Sequence, residues 1–445
     1  MREFFKTIFI GLCLLLSLTA KTQITSDSTA ILSLTDVVQT TLENNFQIRV
    51  SRNNASIAQN NNSMGNAGML PVVSANGAFS KSSQNTDQVF ANGTEQSRNG
   101  ANRQVVSAGV NMIWTVFDGT QMFATLDRLQ NQALLSDQQL KLQVDNTLST
   151  TQQLFYRVAL EQERLELFQS NVGFSEERVR IVDEKYRIGK ESKLSLLQAK
   201  VDLNSDRSSL VLQKELLNSQ KLNLLQFMGI SPMSYELNFD VEIDTTLTYE
   251  ELLSQALLRN PAILIQESNE KIVTNQVQEL NRARLPQIDL NLGYGYSNLE
   301  SEAGFLFRNQ TYDLNYGLSA RVNLFNGFNQ IRQIQNAQIQ LENAQLLQRE
   351  AEQMIQTDLM NNFTIYQNNL ELRKLETQNL DVALENSEIA LERFRLGVSD
   401  ALELREAQIN AVNAQIRFLQ AQFNAKVAEI ELKRIAGIIT EQVAQ

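Results

Sequence analysis

Residues 312–327 read YDLNYGLSARVNLFNG, and the 69 residues that follow, Phe328 to Leu396, contain no Gly or Pro. In the first stretch Tyr312, Leu314, Tyr316, Leu318, Ala320, Val322 and Leu324 alternate with Asp313, Asn315, Gly317, Ser319, Arg321 and Asn323. Strict period-2 patterning marks a β-strand with one apolar and one wet face. The run that follows has no helix breaker and is too polar to span a bilayer. As one α-helix it would be roughly 100 Å long at about 1.5 Å per residue. No ordinary globular core covers such a rod, so the joining of this strand to this helix decides the fold.

Three more segments alternate in the same way. Ile288, Leu290, Leu292, Tyr294 and Tyr296 flank Asp289, Asn291, Gly293 and Gly295. Val106, Ala108, Val110, Met112, Trp114 and Val116 alternate with Ser107, Gly109, Asn111, Ile113 and Thr115, and Val73, Ala75, Gly77 and Phe79 with Ser74, Asn76 and Ser80. A soluble sandwich accounts for the alternation, but four strands make a poor core. Their length suits tilted membrane strands of about 9–11 residues. Phe79, Trp114, Tyr294, Tyr296, Tyr312 and Tyr316 suit an interfacial aromatic girdle. The polar segments Lys81–Asn102 and Asn298–Thr311 are then the outward loops.

The chain repeats itself. Tyr186-Arg187-Ile188-Gly189 matches Phe394-Arg395-Leu396-Gly397, Met228-Gly229-Ile230 matches Ala436-Gly437-Ile438, and Phe117-Asp118-Gly119 matches Phe325-Asn326-Gly327. Duplication and fusion of one unit is the simplest account. The first unit, residues 21–229, predicts a helix over 35–68, strands over 70–82 and 103–117, a long helix over 120–188 and a return helix over 190–228. The second, residues 248–437, predicts helices over 248–260 and 261–284, split at Asn260-Pro261. Strands over 286–298 and 312–325, a long helix over 328–396 and a return helix over 399–436 complete it. Residues 230–247 link the units, and 438–445 form a tail.

Residues 1–20 read as a secretory signal, with Arg2 and Lys6 at the positive end, an apolar stretch from Ile8 to Leu18 and Ala20 at the cleavage position. Cys13 lies inside that stretch after Leu12, where a lipidated cysteine needs a small residue before it. The chain has no histidine, which removes histidine acid–base catalysis, Ser-His triads and most transition-metal sites. No catalytic constellation or cofactor motif stands out. The net charge of −11 disfavours nucleic acid. Beyond the signal no apolar run reaches the roughly 20 residues of a spanning helix, so any membrane crossing is made by strands.

Four strands cannot close a barrel, for which about eight is the minimum, and open sheet edges are not tolerated in lipid. Several chains must contribute; three give twelve strands, two only a narrow eight. In the last helix Leu404, Ala407, Ala411, Ala414, Phe418, Ala421, Ala425, Ala428 and Leu432 form a coiled-coil seam. A second stripe, Ile409, Val412, Ile416, Leu419 and Phe423, lies on the opposite side. An ordinary bundle helix accounts for two stripes, and so does a stave in a tubular wall. A periplasmic coiled-coil scaffold without a barrel would leave the alternating strands unused.

Asn260-Pro261-Ala262-Ile263, Ala283-Arg284-Leu285-Pro286-Gln287, Leu324-Phe325-Asn326-Gly327 and Arg393-Phe394-Arg395-Leu396-Gly397 stand in this order across the chain. In order, spacing and duplication the sequence resembles the TolC-like outer-membrane efflux proteins over essentially the whole mature length. The resemblance implies a mainly α protein with a β membrane part. It would form a homotrimer, with a long α-helical coiled-coil barrel in the periplasm continuous with a 12-stranded transmembrane β-barrel. An equatorial belt would come from the 230–247 linker and the chain ends. It also implies a passive duct in the Gram-negative outer membrane, serving efflux or type I secretion of drugs, small molecules or proteins. Its partners would be a periplasmic membrane-fusion adaptor, an inner-membrane pump of RND or ABC type, and outer-membrane lipid.

By the same resemblance Glu403 and Glu406 ring the periplasmic entrance. They lie at i,i+3 on a polar stripe continued by Asn410, Asn413, Arg417 and Gln420. The plainer reading is that acids suit a helix N-terminus. The first copy has Ser195 and Gln198 at the matching positions, and Ser399 stands where the family's latch arginine would fall. The turns Arg187-Ile188-Gly189 and Arg395-Leu396-Gly397 would face the adaptor; basic residues followed by Gly are also ordinary helix C-caps.

Overall fold

A computed structural model describes residues 30–440. The expected signal peptide with Cys13, and the last five residues of the tail, lie outside the described residues. In chain order the elements are β1 (Ala30–Leu32), α1 (Leu34–Asn44), α2 (Phe46–Asn61), β2 (Val72–Val89), β3 (Glu95–Phe117), α3 (Gln121–Arg187) and α4 (Lys193–Met228). The second copy follows β4 (Tyr235–Leu237), with α5 (Tyr249–Arg259), α6 (Pro261–Arg282), β5 (Gln287–Ser301), β6 (Arg308–Arg321), α7 (Asn329–Leu396) and α8 (Ala401–Ile435). With no Gly or Pro inside α7 and only Gly173 inside α3, α3 runs 67 residues and α7 runs 68.

The four long strands form one antiparallel sheet in the order β2-β3-β5-β6. Its register sets Ala75, Val110, Tyr294 and Leu314 side by side, with Val73, Met112, Leu292 and Tyr316 in the adjacent apolar row. Asn76, Gly109, Gly295 and Asp313 line up on the other face. The two copies therefore share one apolar and one polar face, and the latter is tied by Asn111 donating to Asn76 and Thr115 donating to Asp289. β2 and β6 each have one unpaired edge within the sheet.

Below the sheet, α4 lies along α3 and α8 along α7, while α2 and α6 stack against the other ends of the long helices. No helix among the described residues is long and apolar enough to cross a membrane. All of the expected α8 seam is buried except Phe418, which is half-buried. On the second stripe Leu419 and Phe423 are buried but Ile409 is exposed. α3 is buried along most of its length, whereas α7 leaves Ile339, Leu346, Leu347, Met354 and Ile365 exposed.

Several expectations need correction. The single helix over 35–68 is two helices, broken at Asn45 and ended at Asn61. Asn45 Oδ1 accepts from the amides of Gln47 and Ile48, while Nδ2 donates to Phe227 O at 2.8 Å. Asn260 does the same in the second copy, accepting from Ala262 N and donating to Ile435 O at 2.8 Å. Each asparagine thus caps one helix and holds the last turn of the returning one. There Gly229 and Gly437 sit so close that an added Cβ would lie 2.7 Å from Asn44 O and 2.8 Å from Arg259 O. The strands also overrun the expected loops: β2 and β3 form a hairpin of 18 and 23 residues that turns only at 90–94, and β5 and β6 turn at 302–307. The 230–247 linker contains one short strand, Tyr235–Leu237, pairing in parallel with β1.

The repeated asparagine device yields a prediction. Asn45→Ala and Asn260→Ala should each lower stability by about 0.5–2 kcal/mol, the range for loss of an N-cap. Chemical unfolding in detergent checks this, and a cost confined to the Pro261 copy would contradict the shared role.

Candidate functional site at the helical tips

Each long helix ends in the same backbone motif. Gly189 (φ 75°) lets Lys190 N–H reach Lys185 O at 2.8 Å, and Gly397 (φ 78°) lets Val398 N–H reach Arg393 O at 3.0 Å. These are Schellman caps, which explains the glycine at both turns. Arg187 pairs with Asp183, and Arg395 pairs with Glu392 and Glu177. Ile188 and Leu396 are left exposed, joined by Leu194, Val398 and Leu402. Each tip is therefore a basic turn with an apolar point.

Asp400 starts α8 by accepting from Leu402 N–H and Glu403 N–H. Glu403 and Glu406 follow on an exposed face. Glu403 lies 3.5 Å from Arg393 of α7, both half-exposed, and such surface pairs contribute only about 0–1 kcal/mol. Glu406 has no ion pair among the described residues. The two acids are thus inequivalent, one lightly neutralised and one free. The Ser399 hydroxyl is buried without a hydrogen-bond partner.

Starting level with these acids and running further from the tip lies a charged cluster that sequence reasoning missed. The Arg178 side chain of α3, 2% exposed, donates to Asp202 of α4 at 2.5 Å. Asp206 of α4 accepts from Ser175 at 2.5 Å and from Arg405 of α8 at 2.8 and 3.1 Å. Gln408 donates to Asn171 and Ser175, both at 2.7 Å, and accepts from Arg405. Burial lowers the Arg178 pKa from its ordinary value, and the Asp202 hydrogen bond works against that shift. The cluster locks α8 to the α3–α4 pair, above an apolar patch of Ile181, Val182, Leu196, Phe394 and Leu404. Its sequence signal was present: Asp202/Asp206 at i,i+4 and Ser175/Arg178 and Arg405/Gln408 at i,i+3.

At the sheet, Trp114 donates its indole N–H to Met69 O at 2.9 Å, and the Tyr296 and Tyr312 rings lie 5.0 Å apart. Phe79, Tyr294 and Tyr316 are exposed. Tyr316 is level with Leu292 and Met112 in one apolar row. Among the described residues no group of acidic or cysteine side chains could hold a metal ion.

The profile of the family described as "Outer membrane efflux protein" matches residues 37–230 and 252–438, one copy each. The chain is 24% identical over 428 residues to the probable efflux pump outer membrane protein TtgC of Pseudomonas putida, covering 93% of this chain and 84% of that protein. Its fold matches the outer membrane protein VceC of Vibrio cholerae with a TM-score of 0.73 at 17% identity, covering 91% of this chain and 96% of that one. The CmeC outer membrane channel of Campylobacter jejuni matches with a TM-score of 0.74 at 16% identity, covering 92% and 88%.

Removing one member of a buried charged pair leaves the other uncompensated, at a cost of about 3 kcal/mol or more. Arg405→Ala should therefore loosen the tip while leaving the sheet intact. Hydrogen exchange should accelerate around residues 171–206 and 400–410 and stay unchanged in β5 and β6. Uniform exchange across the chain would show that the cluster fastens nothing.

Proposed function

The chain belongs to the outer membrane efflux protein family, and from that premise we propose that three copies assemble into one continuous export duct. It is an outer-membrane channel with its helical part in the periplasm. The observation that carries the three-copy reading is the open sheet. Its outer face is apolar, each edge strand has one side unpaired, and each repeat feeds a helix of 67 or 68 residues. Pairing β6 of one copy with β2 of the next satisfies every edge in a twelve-stranded barrel. The apolar strip left open on α7 is then covered by a neighbouring copy, and the helices close into a tube below the sheet. A periplasmic scaffold would leave the apolar sheet face without a solvent that suits it.

The duct does no chemistry in this reading; it conducts what a partner delivers. The tip turns at Arg187-Ile188-Gly189 and Arg395-Leu396-Gly397 present apolar points and guanidinium groups to a periplasmic adaptor. The adaptor links the duct to an inner-membrane pump of RND or ABC type. Drugs, small molecules and proteins are the cargo classes of such a passive tube.

Glu403 and Glu406 form the charged constriction. Around a threefold axis the six carboxylates attract cations and repel anions. Arg393 offsets part of the Glu403 ring, so Glu406 carries the larger share. Glu406→Gln should lower cation over anion selectivity in planar bilayers more than Glu403→Gln, and the double variant should lower it most. Folding should be little affected, since a helix-end acid contributes only about 0.3–1 kcal/mol. Unchanged selectivity with reduced thermal stability would mark both residues as helix-end acids alone.

A further inference from the structure

At the far end of the sheet, the β5–β6 turn carries Phe305, Leu306 and Phe307, exposed by 90%, 58% and 69%. Three consecutive large apolar residues are costly to leave in water. The loop also leans to one side. Asn76, Ala78, Ser80, Ser82, Gln84, Thr86 and Gln88 alternate onto the polar face of β2, and Arg98 and Gln96 pair with Thr86 and Gln88. Arg98 donates to the backbone carbonyl of Glu302, and Gly304 sits beside the Gln88 amide. Ser301, on the polar face of β5 with Asn291 and Ser297, binds the backbone of Ala303 through its hydroxyl. Glu302 N–H donates to Asn102 O at 3.0 Å, and its carboxylate accepts from Asn102 N–H at 3.0 Å. Ala101 and Ala303 are buried there. Residues 302–304 are thus laid against the polar face, which becomes the lumen when the barrel closes.

We propose that the Phe305-Leu306-Phe307 loops of three copies meet at the axis and form an apolar outer gate. The proposal rests on the three-copy reading above. Twelve strands about 4.8 Å apart and tilted by about 40° enclose a backbone radius of about 12 Å. A loop lying on the inner wall and tipped with phenylalanine reaches most of the way to the centre of so narrow a tube. Each apolar cluster is then covered by the same cluster of two other copies. Such a ring resists wetting, so it holds back water and small solutes arriving from outside and yields to cargo pushed from within. It is separate from the acidic constriction, which lies at the opposite end of the molecule.

Accessibility of the lumen from outside tests the gate without interference from the periplasmic end. Cells carrying Asn291→Cys, with the unsubstituted chain as background, are treated with a bulky membrane-impermeant maleimide. Labelling should be slow with the native loop and severalfold faster with Phe305→Ser, Leu306→Ser and Phe307→Ser combined. In a second variant, Phe305→Cys in an otherwise native loop should link copies covalently on oxidation. Equal labelling rates in two assembled trimers overturn the gate and leave the trimer standing, as does Phe305→Cys that labels rapidly from outside and never cross-links. A native chain that is not trimeric in detergent overturns both.

Discussion

A backbone amide in hydrocarbon has no water to turn to, and this constraint organises the molecule. The sheet satisfies it internally across β2-β3-β5-β6 and fails at its two edges. Closing those edges requires other copies, and closing them around an axis brings the helices attached to each strand into a ring. The junctions transmit that geometry. Gly119-Thr120 and Gly327-Phe328 are left-handed in succession, with φ of 71°, 69°, 67° and 62°. A β-branched threonine at positive φ is strained, and its presence at the equivalent place in the first copy shows how firmly the strand-to-helix turn is held.

Duplication explains why the helical part is a wall rather than a solid bundle. Each unit sets two stacked helices and one returning helix against one long helix. The asparagine at each stack point fastens the ends with both ends of its amide. The two copies are not equal: α3 finds neighbours on two sides, whereas α7 presents apolar residues that nothing among the described residues covers. That asymmetry suits a subunit boundary running along α7. Specificity at the helical end comes from polar contacts. The Arg178–Asp202 and Arg405–Asp206 pairs set how α8 sits on its neighbours, and a small change there would be magnified along a long lever.

Much of this was legible in the sequence because the signals are periodic. Period-2 alternation in four segments assigned the sheet faces, and the 3,4 spacing of Leu404, Ala407 and Ala411 assigned the α8 seam. What escaped were features carried by single residues. Pro261 announced the second helix break, but the first copy has Phe46 after its asparagine, and only alignment of Asn45 with Asn260 exposes the shared cap. The buried cluster escaped because Asp202, Asp206 and Arg405 look like surface charge until the fold brings them together. Hairpins that continue through polar residues carry no apolar alternation, so Lys81–Asn102 and Asn298–Thr311 read as loops although strands run well into both. In the second, the average polarity masked Phe305-Leu306-Phe307.

The claim on which the account stands is that one chain cannot close its own sheet. Measuring the mass of the full protein in a mild detergent, with bound detergent subtracted, tests it directly. The account predicts three copies at all protein concentrations where the channel is active. A stable monomer or dimer with the same strand content would contradict it.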